Sequence, residues 1–142
     1  MPTDPDLTGV HVLLVDDNED ALHIFGSYLR HVGAVVTEAR NGAEALGMLQ
    51  QAQAHVIVTD LSMPGIDGVE FVSRLRGHRG EADAPTPVIA VTAFPENYVR
   101  EAMHELGFRS YLVKPVNPER IAREVLAVHN HIRAADDTRK PG

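Results

Sequence analysis

The sequence has no cysteine, no long apolar run and no concentration of basic residues, and each shortage removes a class of explanation. Without cysteine there is no disulfide framework and no thiolate chemistry, which fits a cytoplasmic address. The apolar residues come in short runs, far below the roughly 20 residues that cross a bilayer. The opening MPTDPDLTG carries acid where an export signal carries base, and no apolar stretch follows it. A soluble protein with no membrane insertion is therefore expected. Base is scarce as well: 13 Lys and Arg stand against 20 Asp and Glu, for a formal charge of -7, and the basic residues form no stripe. Direct nucleic-acid binding is not expected from such a surface. At 142 residues the chain suits one domain with a sizeable core.

What is present is an alternation of periods. VHVLLVDD (10–17) is a near-continuous apolar run closed by two carboxylates, the pattern of a strand buried on both faces. Residues 19–32 switch to helical spacing, with Leu22, Phe25 and Leu29 on one face and Gly33 placed as a C-cap. The alternation repeats with a strand at AVVTEA (34–39), a helix from Ala43 to Gln51, a buried strand at HVIVTD (55–60) and a helix at VEFVSRLR (69–76). GHRGEADAPTP (77–87) reads as a loop, PVIAVTA (87–93) as a fourth strand, 96–106 as a helix closed by Gly107, and SYLV (110–113) as a fifth strand. Asn117-Pro118-Glu119 then starts a helix with Ile121, Val125, Val128 and Ile132 on one face. The expected organisation is a polar lead at 1–8, one folded domain at 9–132 and a disordered tail at 133–142. Strand-helix pairs in this order predict an α/β domain, a doubly wound parallel sheet with right-handed crossovers. Such sheets place their sites beyond the carboxyl ends of the strands, where strand order reverses.

At those ends lie Asp16 and Asp17 after the first strand, Asp60 after the third, Thr92 after the fourth and Lys114 after the fifth. Carboxylates brought close together repel unless a cation relieves them, and a hard divalent ion that also pairs with phosphate oxygen is the natural relief. A carboxylate can attack phosphorus to give an acyl phosphate, and phosphoryl transfer needs positioning and charge neutralisation more than acid-base help. Asp60, alone at the end of a central strand, is the best-placed nucleophile, and the Asp16-Asp17 pair is left to hold metal. Lys114 and the Thr92 hydroxyl would neutralise further phosphoryl oxygens.

VLLVDDNED (12–20), NGAEAL (41–46), VIVTDLSMPGIDGVEF (56–71), PVIAVTA (87–93) and YLVKPV (111–116) together carry a resemblance. Their order and spacing resemble the response-regulator receiver domain of bacterial two-component signalling. The resemblance implies a flavodoxin-like (βα)5 fold with strand order 2-1-3-4-5. It makes Asp60 the phosphoacceptor, with Mg²⁺, or Mn²⁺ in its place, held by Asp16, Asp17, Asp60 and the backbone carbonyl of Ser62. Thr92 becomes the switch hydroxyl, Lys114 the phosphoryl-pairing ammonium, Tyr111 the aromatic that follows the switch, and Lys114-Pro115 a cis bond. Ser62 and Phe94 would tune the lifetime of the phosphorylated state. The implied donor is a sensor histidine kinase, hybrid or not, or a histidine phosphotransfer protein. Output is expected through residues 96–130, to a downstream protein or a phosphorylation-dependent second copy.

Duller readings exist for each residue. Asp16, Asp17, Glu19 and Asp20 could be a solvated helix start, Asp60 a turn acid, and Tyr111 a plain strand aromatic. Asp67 is read as helping the turn before Gly68 and starting the next helix rather than as a ligand. His23, His31, His104, His129 and His131 show no ligand spacing. None is needed as a phosphodonor, so the donor should be another molecule. The alternative of a phosphorylation-independent docking module is opposed by the complete set of site residues. A hydrolase of a separate metabolite would want a second acid two positions after Asp60, where Ser62 stands. Self-phosphorylation and self-dephosphorylation are thus expected, without turnover of a separate metabolite.

Overall fold

The computed structural model describes residues 3–78, 81 and 85–139, with the side chains of 136–139 outside the description. Its centre is a five-stranded parallel sheet of β1 (His11–Val15), β2 (Val35–Ala39), β3 (Val56–Asp60), β4 (Val88–Thr92) and β5 (Phe108–Val113). The strand order is β2-β1-β3-β4-β5. The apolar runs explain this directly. Every residue of β3 and β4 is buried, and alternate residues of β1 feed two cores. Val12 and Leu14 pack with Leu22 and Leu29 of α1 (Glu19–His31) and with Ile121 and Val125 of α5 (Pro118–Arg139). Leu13 and Val15 face the other way, toward Ala45 of α2 (Gly42–Gln51), Phe71 and Val72 of α3 (Gly68–Arg76) and Met103 of α4 (Arg100–Glu105).

Local chemistry sets the helix ends. The side chains of Asn18, Asn41, Asp67 and Asn117 each accept the N–H three residues on, and thereby cap α1, α2, α3 and α5. At the far end of α1, Gly33 takes a positive φ of 106°, its N–H donates to the Arg30 carbonyl and the Ala34 N–H donates to Leu29. That pair of bonds is the Schellman closure.

Three stretches depart from the sequence expectation. The helix expected over 96–106 is divided: a 3-10 turn at Pro95–Asn97 is followed by extended Tyr98 and Val99, and α4 spans only Arg100–Glu105. Pro95 starts the turn and no side chain caps α4, so nothing local joins the two pieces. β5 begins at Phe108 rather than 110, because the fully buried Phe108 ring supplies an anchor to the second core. α5 continues to Arg139, through the start of the expected tail, over a stretch with no Gly or Pro to stop it. Residues 140–142 of that tail lie outside the described residues.

The polar lead is structured as well. Leu7 is fully buried in the core shared by α1 and α5, and its N–H donates to the Val32 carbonyl at 2.8 Å. Arg123 of α5 reaches back to the Thr3 carbonyl at 2.8 Å.

On the opposite face, Arg76 fastens the loop before β4 to the turn before β5. Its guanidinium donates to the carbonyls of Leu106 (2.6 Å) and Thr86 (2.7 Å) and to Glu81 (2.6 Å). Among the described residues no helix is long and apolar enough to cross a membrane.

Candidate functional site

β1 lies between β2 and β3, so the chain reverses its winding direction at the carboxyl ends of β1 and β3. The functional side chains gather there. Asp16 follows β1 and is 3% exposed. Its N–H donates to the Ala39 carbonyl at 3.1 Å, and its carboxylate accepts the Asn18 N–H at 2.9 Å. Asn18 in turn caps α1, so one short segment fixes the strand end, the acid and the helix start together. Asp17, between them, projects to solvent.

Asp60 ends β3 and is 7% exposed. One carboxylate oxygen accepts the Ser62 N–H at 3.2 Å, and the other accepts from the Lys114 ammonium at 3.2 Å. Close packing of α3 holds the turn beneath it. A Cβ on Gly68 would stand 2.5 Å from the Asp60 carbonyl oxygen and 2.9 Å from the Leu61 Cα, so only glycine permits this approach.

Thr92 ends β4, 2% exposed, and its hydroxyl oxygen accepts the Phe94 N–H at 3.0 Å. The Lys114 N–H donates to the Thr92 carbonyl at 2.8 Å, which ties the end of β5 to that of β4. The Lys114-Pro115 bond is cis. The Lys114 ammonium lies 3.2 Å from Asp60 and 3.6 Å from Asp16. Two expected participants stand apart. Tyr111 leans on the start of α4, its hydroxyl donating to the Arg100 carbonyl at 3.4 Å and its ring beneath the Arg100 guanidinium. Phe94 is half exposed.

Ligand atoms of Asp16, Asp17 and Asp60 lie within 4.8 Å of one another. Burial, with the Asp60 and Asp17 charges adding to it, pushes the Asp16 carboxyl above the ordinary aspartate range against the pull of the Asn18 N–H and Lys114. Burial works against the Lys114 charge too, yet Asp16 and Asp60 outweigh it and hold that ammonium above the ordinary lysine range. One lysine thus serves more carboxylate than it can neutralise. Three clustered carboxylates in need of positive charge form a hard, all-oxygen set that suits a divalent cation.

The profile of the Response regulator receiver domain family matches residues 12–126. The chain belongs to that family. As a receiver domain it is a phospho-accepting regulatory module of two-component signalling. It is 38% identical over 120 residues to an uncharacterized 14.6 kDa protein of Leptolyngbya boryana, covering 84% of this chain and 89% of that one. It is 33% identical over 127 residues to the transcriptional regulatory protein ResD of Bacillus subtilis, covering 89% of this receiver and 50% of ResD. The sensor histidine kinase GacS of Pseudomonas protegens matches at 33% over 81% of this chain but 13% of its own length. The receiver thus spans about half of one of these relatives and a small part of another. Among solved structures, the chemotaxis response regulator CheY4 of Vibrio cholerae superposes with a TM-score of 0.75 at 32% identity, over 85% of this chain and 99% of that one.

Sequence reasoning picked out the acids because each closes an apolar run. It did not assign Asn18 its positioning role, although an Asn just before a helical period is itself a cap signal.

Proposed function

We propose that Asp60 accepts a phosphoryl group from the phosphohistidine of a sensor histidine kinase, hybrid or not, or of a histidine phosphotransfer protein. What carries the reading is the setting of Asp60: a carboxylate at the end of a fully buried central strand, 3.2 Å from the Lys114 ammonium and clustered with two further acids. Asp16, Asp17, Asp60 and the Ser62 carbonyl are the residues that would hold Mg²⁺, or Mn²⁺ in its place. When bound, such an ion neutralises phosphoryl oxygen charge.

The remaining roles belong to the chain itself. A carboxylate oxygen of Asp60 forms the new O–P bond while the P–N bond of the donor breaks and the imidazole leaves with its electron pair. Lys114, already aimed at Asp60, pairs with one phosphoryl oxygen. The Thr92 oxygen is engaged as acceptor from the Phe94 N–H, so its hydroxyl hydrogen is the part left to donate to another. Drawing Thr92 toward the phosphoryl group shifts a two-state equilibrium in the neighbouring surface, residues 96–130, where Tyr111 packs on α4. That surface then engages a downstream protein or a second copy of the chain.

The test is intact mass after incubation with Mg²⁺ and acetyl phosphate, and after phosphotransfer from histidine kinases, beside Asp60→Asn. A hydroxylamine-labile gain of one phosphoryl group on the wild type alone is the expected result. No gain from any donor would sink this reading and favour a docking module that works without phosphorylation.

A further inference from the structure

At the opposite end of the sheet, away from the carboxylates, three imidazoles from three elements meet. His11 opens β1, His55 stands one residue before β3, and His129 lies on α5. The backbone N–H of His11 donates to the Nδ1 of His55 at 3.0 Å, and the N–H of His55 returns a bond to the His11 carbonyl at 2.8 Å. The His11 and His55 rings meet edge-on with centroids 5.3 Å apart, and the His129 ring lies 5.2 Å from that of His55.

A ring nitrogen that accepts an N–H carries no proton, so this arrangement requires neutral His55 with its hydrogen on Nε2. Protonation would set an Nδ1–H against the His11 N–H and break the contact. The groups facing His55 are His11 from β1 and His129 from α5, with Arg133 beyond His129 on the same helix. Among the described residues no carboxylate forms an ion pair with any of the three histidines. A proton arriving here therefore meets only positive neighbours. The chemistry of a transition-metal site fits less well, because the one free lone pair of neutral His55 is already engaged. The metal-capable trio among the described residues is instead the aspartate one.

We propose that His11, His55 and His129 form a proton-operated latch, closed when His55 is neutral and opened when it is protonated. Closed, it locks the first rung of the β1–β3 seam and seats the later turns of α5 against it. Open, it loosens both without any change at Asp60, so it is independent of the phosphoacceptor reading. Partial burial first, and neighbouring positive charge second, hold both His55 and His129 below the ordinary histidine range, in keeping with a latch closed at neutral pH.

The test combines an NMR titration of the imidazole C–H protons with amide exchange of the full chain, corrected for intrinsic rates, for wild type, His55→Asn and His11→Gln. Protection of residues 11–14, 55–58 and 126–133 is expected to fall severalfold between about pH 7.5 and about pH 5.5. The amide oxygen introduced by His55→Asn offers an acceptor near the Nδ1 position that does not titrate, so this variant should keep its protection across the range. In His11→Gln, which keeps the backbone bonds to His55 but removes the positive neighbour that lowers it, the His55 midpoint should move upward, a result readable even if the His55→Asn variant folds poorly. Unchanged protection in the wild type, an undiminished fall in His55→Asn, or an unmoved His55 midpoint in His11→Gln would each overturn the latch.

Discussion

Asp16 answers two demands that pull against each other, since it is buried for shape and, on the proposed reading, charged for metal. Its carboxyl is already held above the ordinary range by burial and by its acidic neighbours. Removing that charge should relieve the fold, so Asp16→Asn is expected to stabilise the metal-free chain by about 1 kcal/mol in urea melts. The same variant should lose the response to Mg²⁺, which on the proposed reading stabilises the wild type by about 2.7 kcal/mol at one hundred times its dissociation constant. Asp16, Asp60, Thr92 and Lys114 were legible in the sequence for one reason: each ends a strand, and strand ends are written as the point where an apolar run stops. Arg76 and the three histidines obey no such local rule. Arg76 gains its partners at Glu81, Thr86 and Leu106 only once two distant loops are folded. His11, His55 and His129 are neighbours only because β1 and β3 pair in register beneath α5.

Among the elements, α4 and the turn after it are held more by one side chain than by their own sequence. α4 has no side-chain N-cap and buries only Met103. Its C-terminal turn leans on Arg76, and a Cβ on Gly107 would collide with the same guanidinium. Arg76 and Glu81 are mostly buried, so Arg76→Met leaves Glu81 without its cation and two carbonyls without a donor. A loss of about 2–4 kcal/mol in urea melts is expected, with faster amide exchange in residues 104–108. The boundaries that differed from the sequence reading cluster in this region. Residues 96–106 show helical apolar spacing, but Pro95 and the extended Tyr98 and Val99 settle the backbone otherwise. The start of β5 was hidden because Gly107 reads as a stop while Phe108 is needed by the core. β3 and β4 were legible because burial on both faces leaves no polar residue inside the run.

For the whole molecule, stability divides between two cores on either side of the sheet, and the segment before β1 belongs to one of them. Leu7→Ala should cost about 2–5 kcal/mol, as for other fully buried leucines, with an unchanged m-value in urea. A single leucine among polar residues gives no period to read, so its burial could come only from the folded structure. The pH dependence has a definite sign. His55 and His129 bind protons less readily folded than unfolded. Their contribution to stability is fully present above about pH 6.5, the unfolded value, and is lost as pH falls through the folded values. Thermal midpoints measured downward from neutral pH should therefore decline in the wild type, and less so when both histidines are replaced by Gln. The anchoring of Leu7, with the Thr3 carbonyl held by Arg123, also fixes the direction in which the chain is approached from its start. Anything joined ahead of residue 3 departs from the α1–α5 face, on the other side of the sheet from α4. A dye, a tether or a sensor-chip linkage placed there leaves α4 turned outward, and so orients the molecule for binding measurements without further engineering.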